Sequence, residues 1–383
     1  MKVVHLCNLP LAKDHPDHGR LRTHPGRWVL NIALAQARFT EIKPELVVQI
    51  PGASKDHHTV VEDIPVHYVA APDTLRSSTF FFFDVRRLAR QIKALQPEMV
   101  HAHGTEDAYG LAAQHAARPH IITAQGLYFL NNQTVQPRLI SRDRIVQWTE
   151  RLCLKRARHV IAKSDYVRAH LAARFPQLTF HHIPNTFDPR LLEVLEQREE
   201  RVVIFVGTMS LWKGVHLLRE AMLEVRRHIP NVRLWIVGDY PDAPGEYERS
   251  ERHDLTAALG DRVTFHGTRP PLETAALIAR ASVLAVPSLK DMFGNQAIEA
   301  ILLRTPVVTM EGTAVPENVR RFGNGIVVPE NSPHQLAAAL VKTLTEPPPP
   351  AETQIAREKV VAFMRPEKVA ELHAAAYRAV LQS

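Results

Sequence analysis

RVVIFVGTMSLWKGVHLLREAMLEV, residues 201–225, decides the architecture. RVVIFVG is a continuous apolar run closed by Gly207, the pattern of a short buried strand. A short loop follows, and KGVHLLREAMLEVRRHI reads as a helix opened by Lys213-Gly214. Strand, loop and helix in this order form the repeating unit of a parallel sheet covered on both faces. Downstream, VRLWIVG and RVTFHG are strands, PPLETAALIARA a helix, SVLAVPS a strand, NQAIEAILL a helix, TPVVTM and GIVVP strands, and SPHQLAAALVKTL a helix. The run Pro347–Pro350 ends this series, and PEKVAELHAAAYRAVL is a last helix.

The same alternation runs upstream. Lys2–Cys7 is a strand, DHPDHGRLRTHPGR a polar loop and WVLNIALAQARF a helix. Glu45–Ile50 and Pro65–Ala70 are strands. Asp84–Leu95 is an amphipathic helix with Val85, Leu88, Ile92 and Leu95 on one stripe. Glu98–His103, His120–Gly126 and His159–Ser164 are strand-like. The expected fold class is therefore α/β, with two doubly wound Rossmann-like domains facing a cleft. The boundaries read as 1–185 for the first domain, 186–200 for the connection and 201–360 for the second domain; residues 361–383 form a helix returning to the first. Ligands of such sheets bind beyond the C-terminal ends of the strands. The first strand is not followed by GxGxxG, because Gly19 and Gly26 are too far apart, which argues against NAD or FAD.

Composition narrows the function. The 383 residues are 45% hydrophobic and carry a net charge of +7. No apolar run approaches the roughly 20 residues of a membrane span, and the first residues lack a signal-peptide pattern, so a cytoplasmic protein is expected. Cys7 and Cys153 suggest neither a disulfide scaffold nor a metal site. His15, His18 and His24 share the first loop, but their spacing is irregular and no metal is expected. The positive charge suits anionic substrates or an anionic membrane surface. No nucleic-acid module is recognisable, so nucleic acid is not expected as a partner.

Chemistry concentrates in VPSLKDMFGNQAIEA, residues 286–300. Asp291 and Glu299 bracket Phe293-Gly294, and a helix starting near Asn295 would turn free N–H groups toward an anion. Both carboxylates could reach one bound molecule. The plain structural alternative is that Asp291 caps a turn and Glu299 is a solvated helix residue. Lys213, beside another helix start, suits a diphosphate, or else simply faces solvent. Gly26 precedes the first helix and reads as a point of backbone access near the acceptor or the leaving phosphate. His101 and His103, two apart at a strand end, point the same way.

Together these segments resemble the retaining glycosyltransferases of family 4, with two Rossmann-like domains in the GT-B arrangement. PSLKDMFGNQAIEA is similar to the family's Glu-x7-Glu segment, with Asp291 in place of the first acid and Glu299 as the second. Lys213 matches its phosphate-binding lysine, and Thr208 stands where an arginine often follows the strand glycine, here Gly207. MVHAHG resembles the family's HxH strand end. ITAQG fills the slot usually written T-x-H-G, so Gln125 replaces a histidine beside the transferred sugar. AKSDYVR, HIPNTFDP and NGIVVPENSPHQLAAAL also match. Arg304 replaces a usual glycine, implying local strain, and Thr313-Ala314 replaces a Gly-Gly pair.

The resemblance implies transfer of a sugar from a nucleotide-sugar donor (UDP-, GDP- or ADP-linked) to a glycan or lipid-linked acceptor of the cell envelope, with no cofactor and no metal. It implies Lys213, Asp291 and His103 as the catalytic set. Gly26, Gln125, Gly207, Thr208, Lys213, Phe293, Gly294, Asn295 and Glu299 are implied around the donor, with Asp291 on sugar hydroxyls and Glu299 on ribose. A sugar-nucleotide 2-epimerase and a non-catalytic sugar-nucleotide-binding protein are the alternatives. Peripheral contact with an anionic membrane is expected from two segments. Residues 137–159 carry Arg138, Arg142, Arg144, Arg151, Lys155, Arg156 and Arg158 around an apolar stripe of Ile145, Trp148, Leu152 and Cys153. Phe80–Phe83 precede a helix bearing Arg86, Arg87, Arg90 and Lys93. The ordinary alternative is that the stripes pack on the sheet and the arginines face water.

Overall fold

In the computed structural model, which describes residues 1–21, 26–74, 76–133, 141–238 and 245–383, the apolar runs pair into two sheets. In chain order the first unit holds β1 (Lys2–Leu6), α1 (Trp28–Phe39), β2 (Lys43–Pro51), β3 (His57–Val61), β4 (Ile64–Ala71), α2 (Phe82–Leu95), β5 (Met99–His103), α3 (Ala108–His115), β6 (His120–Thr123), α4 (Arg142–Arg156), β7 (His159–Ala162), α5 (Asp165–Ala172) and β8 (Thr179–His182). The second holds β9 (Val202–Val206), α6 (Val215–His228), β10 (Arg233–Val237), α7 (Glu246–Leu259), β11 (Val263–Gly267), α8 (Pro271–Arg280), β12 (Val283–Val286), α9 (Asn295–Leu302), β13 (Val307–Met310), α10 (Val315–Phe322), β14 (Gly325–Val328), α11 (Pro333–Thr345) and α12 (Pro350–Met364). The last helix, α13 (Pro366–Leu381), rejoins the first unit, which comprises Met1–Phe187 and Met364–Ser383; the second is Asp188–Phe363.

The first sheet runs β3-β4-β2-β1-β5-β6-β7-β8 and the second β11-β10-β9-β12-β13-β14. Both have the parallel, doubly wound Rossmann-like order, apart from the antiparallel β3–β4 hairpin at one edge. Each reverses direction of winding at one point, β1 beside β5 and β9 beside β12. At such a switch point the loops leaving adjacent strands diverge and open a crevice.

Helices cover the sheets through the stripes that the sequence displays. Leu88 and Ile92 of α2 are fully buried, and Val85 and Leu95 are half-buried. Leu218, Ala221, Met222 and Val225 of α6 are inaccessible and pack in the second core. Each large apolar side chain so buried contributes about 1.5–3 kcal/mol. Ser141, Ser164 and Asp107 cap α4, α5 and α3 by accepting from Arg144, Val167 and Tyr109 N–H groups.

Several elements lie outside the sequence reading. β3 and β8 are rich in histidine and threonine and neither holds a fully buried residue, so they read as loop. α7 is polar on most of its surface, with Leu255 and Leu259 anchoring it. The proline run does end α11, but Pro350 is also the first residue of α12, where a missing N–H costs nothing. Arg304 has φ 60, so the residue in the glycine position occupies the left-handed region.

Candidate functional site

In the second unit, one backbone clamp joins the loops leaving β9 and β12. The N–H groups of Leu289 and Lys290 both donate to the carbonyl of Trp212, at 2.9 and 3.2 Å. Gly214, with φ 69, makes this approach possible, because a Cβ there would fall 1.9 Å from the Pro287 carbonyl oxygen. Lys213 is thereby delivered to Asp291, with Nζ 2.9 Å from Oδ2.

Asp291 is bonded on every side. Oδ1 accepts from the N–H groups of Phe293 (3.1 Å) and Gly294 (2.6 Å), and Oδ2 accepts from Lys213 and from Gln296 Nε2 (3.0 Å). Burial alone would raise its pKa, but Lys213, Gln296 and the Phe293 N–H outweigh it and hold the carboxyl at about 2. A carboxylate offers about four acceptor sites, so this chain's own donors occupy Asp291. The geometry matches the capping alternative and ties the cap to Lys213. It leaves no vacant lone pair for sugar hydroxyls.

Gly294 (φ 81) ends the loop and Asn295 begins α9. The buried Phe293 gives its carbonyl to Asn318 Nδ2 of α10, and the Ala314 N–H donates to the Asp291 carbonyl at 2.9 Å. The Thr313-Ala314 pair thus forms a regular link into α10, with Ala314 in the right-handed helical region. Glu299 lies just over one turn inside α9, half-buried, and burial followed by the charge of Asp188 pushes its pKa up to about 7. Gly207 and the exposed Thr208 follow β9, with the Thr208 hydroxyl 3.5 Å from that of Ser210.

In the first unit, the carboxyl edge near the switch point holds His103, Gln125 and Lys163. His103 is buried between His5 Nδ1 (3.0 Å) and Gln125 Nε2 (3.4 Å), and Lys163 Nζ donates to Gln125 Oε1 at 2.5 Å. Burial, then the neighbouring charges of His5, His373 and Lys163, hold His103 well below the ordinary histidine range. Both of its ring nitrogens are engaged, so it is built to orient a neighbour, not to exchange protons. His5, His101 and His103 bring their ligand-type atoms within 4.8 Å of one another. Each ring is also hydrogen-bonded to protein groups on both nitrogens. Gly26 lies apart from this group, before α1, and a Cβ there would overlap the Trp28 ring at 1.6 Å. Close packing against the indole accounts for that glycine.

Of the first-loop histidines, His15 accepts from the Asp17 N–H at 3.0 Å and His18 is exposed; His24 lies outside the described residues. Sequence reasoning missed His5, Gln36, Lys163 and Tyr377 because their partners are distant in the chain. Glu150, within the basic segment 137–159, is missed as well. Glu150 is buried, accepts from the Tyr128 and Phe129 N–H groups at 3.1 and 2.8 Å, and burial and then Glu106 raise its pKa to about 7.

Two family models match in tandem. Residues 26–191 match Glycosyltransferase Family 4 and residues 200–346 match Glycosyl transferases group 1. The chain belongs to the family 4 glycosyltransferases. Among curated relatives, it is 36% identical over 151 residues to a D-inositol 3-phosphate glycosyltransferase of Segniliparus rotundus, covering 39% of this chain and 33% of that protein. It is 26% identical over 221 residues to an α-D-kanosaminyltransferase of Streptomyces kanamyceticus, covering 54% of this chain and 56% of that one. The chain thus spans about a third of the length of the inositol phosphate glycosyltransferase and about half of the kanosaminyltransferase.

Solved structures share the GT-B fold of this glycosyltransferase family. A sucrose-phosphate synthase from Thermosynechococcus elongatus superposes with a TM-score of 0.80 at 21% identity, over 100% of this chain and 99% of that one. HepE of Anabaena, solved in complex with UDP and glucose, gives 0.69 at 19%, over 99% and 100%.

Proposed function

We propose that this chain transfers a sugar from a nucleoside diphosphate donor to an acceptor hydroxyl, with retention of anomeric configuration. The observation that carries the reading is the Lys213–Asp291 pair at the β9–β12 switch point, with α6 and α9 starting on either side of it. In the proposed reaction the bond from the anomeric carbon to the phosphate oxygen breaks. The acceptor oxygen bonds to the same face of that carbon, and its proton passes to the leaving phosphate. Charge grows on the diphosphate, and a cation beside two helix N-termini is suited to hold it. An ammonium has three donor hydrogens, so Lys213 can keep Asp291 and take a phosphate oxygen together. Asp291 acts through Lys213, Glu299 receives the ribose hydroxyls, and Gly207, Thr208, Phe293, Gly294 and Asn295 line the donor. Gln125 faces the sugar and His103 orients it.

UDP-glucose is the first donor to test, because HepE was solved with UDP and glucose. The acceptor class is a cyclitol, supported by the names of the inositol phosphate relatives. Purified protein is incubated with UDP-, GDP- and ADP-glucose, with and without D-inositol 3-phosphate. Acceptor-dependent nucleotide release with an α-linked product supports transfer. Interconversion of sugars without release supports the epimerase instead. Binding detected by thermal shift with neither outcome supports the non-catalytic reading.

One observation favours peripheral contact with an anionic bilayer. Phe80 and Trp148 stack with ring centroids 6.1 Å apart, joining the two basic segments. Phe80, Phe82, Phe83, Trp148 and Leu152 are exposed, and Arg86 lies 5.2 Å over the Phe82 ring. The stripe on α4 is divided, since Ile145 and Cys153 are buried and only Trp148 and Leu152 face out. Arg138 lies outside the described residues. No described helix is long and apolar enough to cross a membrane. Sedimentation with phosphatidylglycerol vesicles at low salt, lost at high salt and on reversing Arg86, Arg87 and Arg90 to glutamate, is the expected result. A protein that stays in the supernatant throughout removes this contact.

A further inference from the structure

His5, His101 and His103 are links in one unbroken chain of hydrogen bonds. It runs from Lys163 Nζ to Gln125 Oε1 (2.5 Å), from Gln125 Nε2 to His103 Nδ1 (3.4 Å) and from His103 Nε2 to His5 Nδ1 (3.0 Å). It continues from His5 Nε2 to Gln36 Oε1 (2.9 Å), Gln36 Nε2 to Tyr377 OH (3.0 Å), Tyr377 OH to His101 Nδ1 (2.7 Å) and His101 Nε2 to Thr123 Oγ1 (2.6 Å). Every intermediate group can donate at one end and accept at the other, so the chain could run in either sense. Lys163 cannot, because an ammonium has hydrogens and no lone pair. Its bond to Gln125 forces the amide oxygen toward Lys163 and the amide nitrogen toward His103. Each later group then has one permitted orientation, and all three imidazoles become neutral Nε2–H tautomers.

We propose that Lys163 is a positioning residue that sets the direction of this chain and so fixes which face of the Gln125 amide meets the sugar. The substrate part rests on the function proposed above; the direction of the chain does not. Lys163 is 6% exposed and directly follows β7, as the second residue of the AKSDYVR segment. With the inner hydrogen and lone pair of Gln125 committed to the chain, its second amide hydrogen and second carbonyl lone pair remain for a ligand. They would present a fixed donor beside a fixed acceptor, a pattern that discriminates among sugar hydroxyls. A histidine in that slot could present only one ring nitrogen.

Long-range proton–nitrogen NMR of imidazole-labelled protein without ligand reads the tautomers, with assignment by single His→Gln substitutions. Wild type is expected to show Nε2–H at His5, His101 and His103. Lys163→Arg, which also only donates, keeps this pattern. Lys163→Glu, which only accepts, turns Gln125 over and moves all three to Nδ1–H, and it lowers kcat/KM by at least about tenfold, one directed hydrogen bond in rate. An Nδ1–H tautomer in wild type, or a pattern unmoved in a folded Lys163→Glu protein, overturns the assignment. Where that variant does not fold, Lys163→Met serves, with mixed tautomers expected and an unmixed Nε2–H pattern overturning it. Tautomers that respond while sugar selectivity does not would overturn the placement of Gln125 at the sugar and leave the direction of the chain standing.

Discussion

Lys213 and Asp291 are 78 residues apart in sequence and joined at 2.9 Å, across the two strands where the second sheet reverses its winding. Lys213 reaches this position from a three-residue turn, and Asp291 holds it while capping the turn that precedes α9. Replacing Lys213 with alanine removes the charge offered to the diphosphate and strands Asp291. The expected loss in kcat/KM is at least about 100-fold. Initial rates near wild type would remove Lys213 from the site.

Asp291→Asn tests whether the carboxylate serves the sugar or the lysine. If it acts through Lys213, affinity for free nucleoside diphosphate falls together with affinity for the sugar-nucleotide. Breaking this partly buried pair also lowers stability. Calorimetric titration with both ligands checks this. An effect confined to the sugar-nucleotide would return Asp291 to the sugar hydroxyls.

Glu299 gives the site a pH dependence. Its folded pKa is raised from 4.5 to about 7, so the stability it contributes is present below 4.5 and is lost as pH rises toward 7. Ribose hydroxyls donate to the ionised form, so nucleotide binding expels a proton below pH 7. Affinity should fall by up to about tenfold per pH unit below that value. Titrations in two buffers of different ionisation enthalpy measure the proton released. In Glu299→Gln both the release and the pH dependence should vanish.

Arg304 holds φ 60 while Nη2 pairs with Glu196 at 2.7 Å. The pair is partly exposed and worth little, whereas a non-glycine residue in the left-handed region costs about 1 kcal/mol. Arg304→Gly is expected to raise the melting temperature by a few degrees, and a lowered one would show that the ion pair dominates.

Gly214→Ala should do the reverse. A methyl group 1.9 Å from the Pro287 oxygen must part the loops after β9 and β12. Overpacking of this kind costs about 1–3 kcal/mol. Donor affinity should fall with stability, because the same displacement carries Lys213 away from Asp291. Thermal melts and nucleotide titration test both.

What the sequence disclosed was local. The strand–loop–helix units, the Lys213-Gly214 turn and the Asp291–Glu299 spacing each lie within one short window, where periodicity and glycine placement are informative. The saturation of Asp291 was hidden because its strongest partner arrives from another strand. His5 reads as one residue of an apolar strand, and only the β1–β5 pairing sets it beside His101. Tyr377 and Gln36 meet across 341 residues, a distance over which no pattern in one sequence speaks. β3 and α12 went unread for a different reason: histidines and prolines there carry the composition of loops, and edge pairing or a permitted first-turn proline overrides it.

The first unit is interrupted. Residues 188–363 form the other unit, and α13 then supplies Tyr377, which is wholly buried against Gln36 and His101. During synthesis, the second unit is therefore complete while the first still lacks a piece of its own interior. The ribosome must pass Tyr377 before the first unit can close, so the domain begun first is finished last. A released chain truncated after residue 363 should carry a protease-resistant second unit beside a first that is still readily cut.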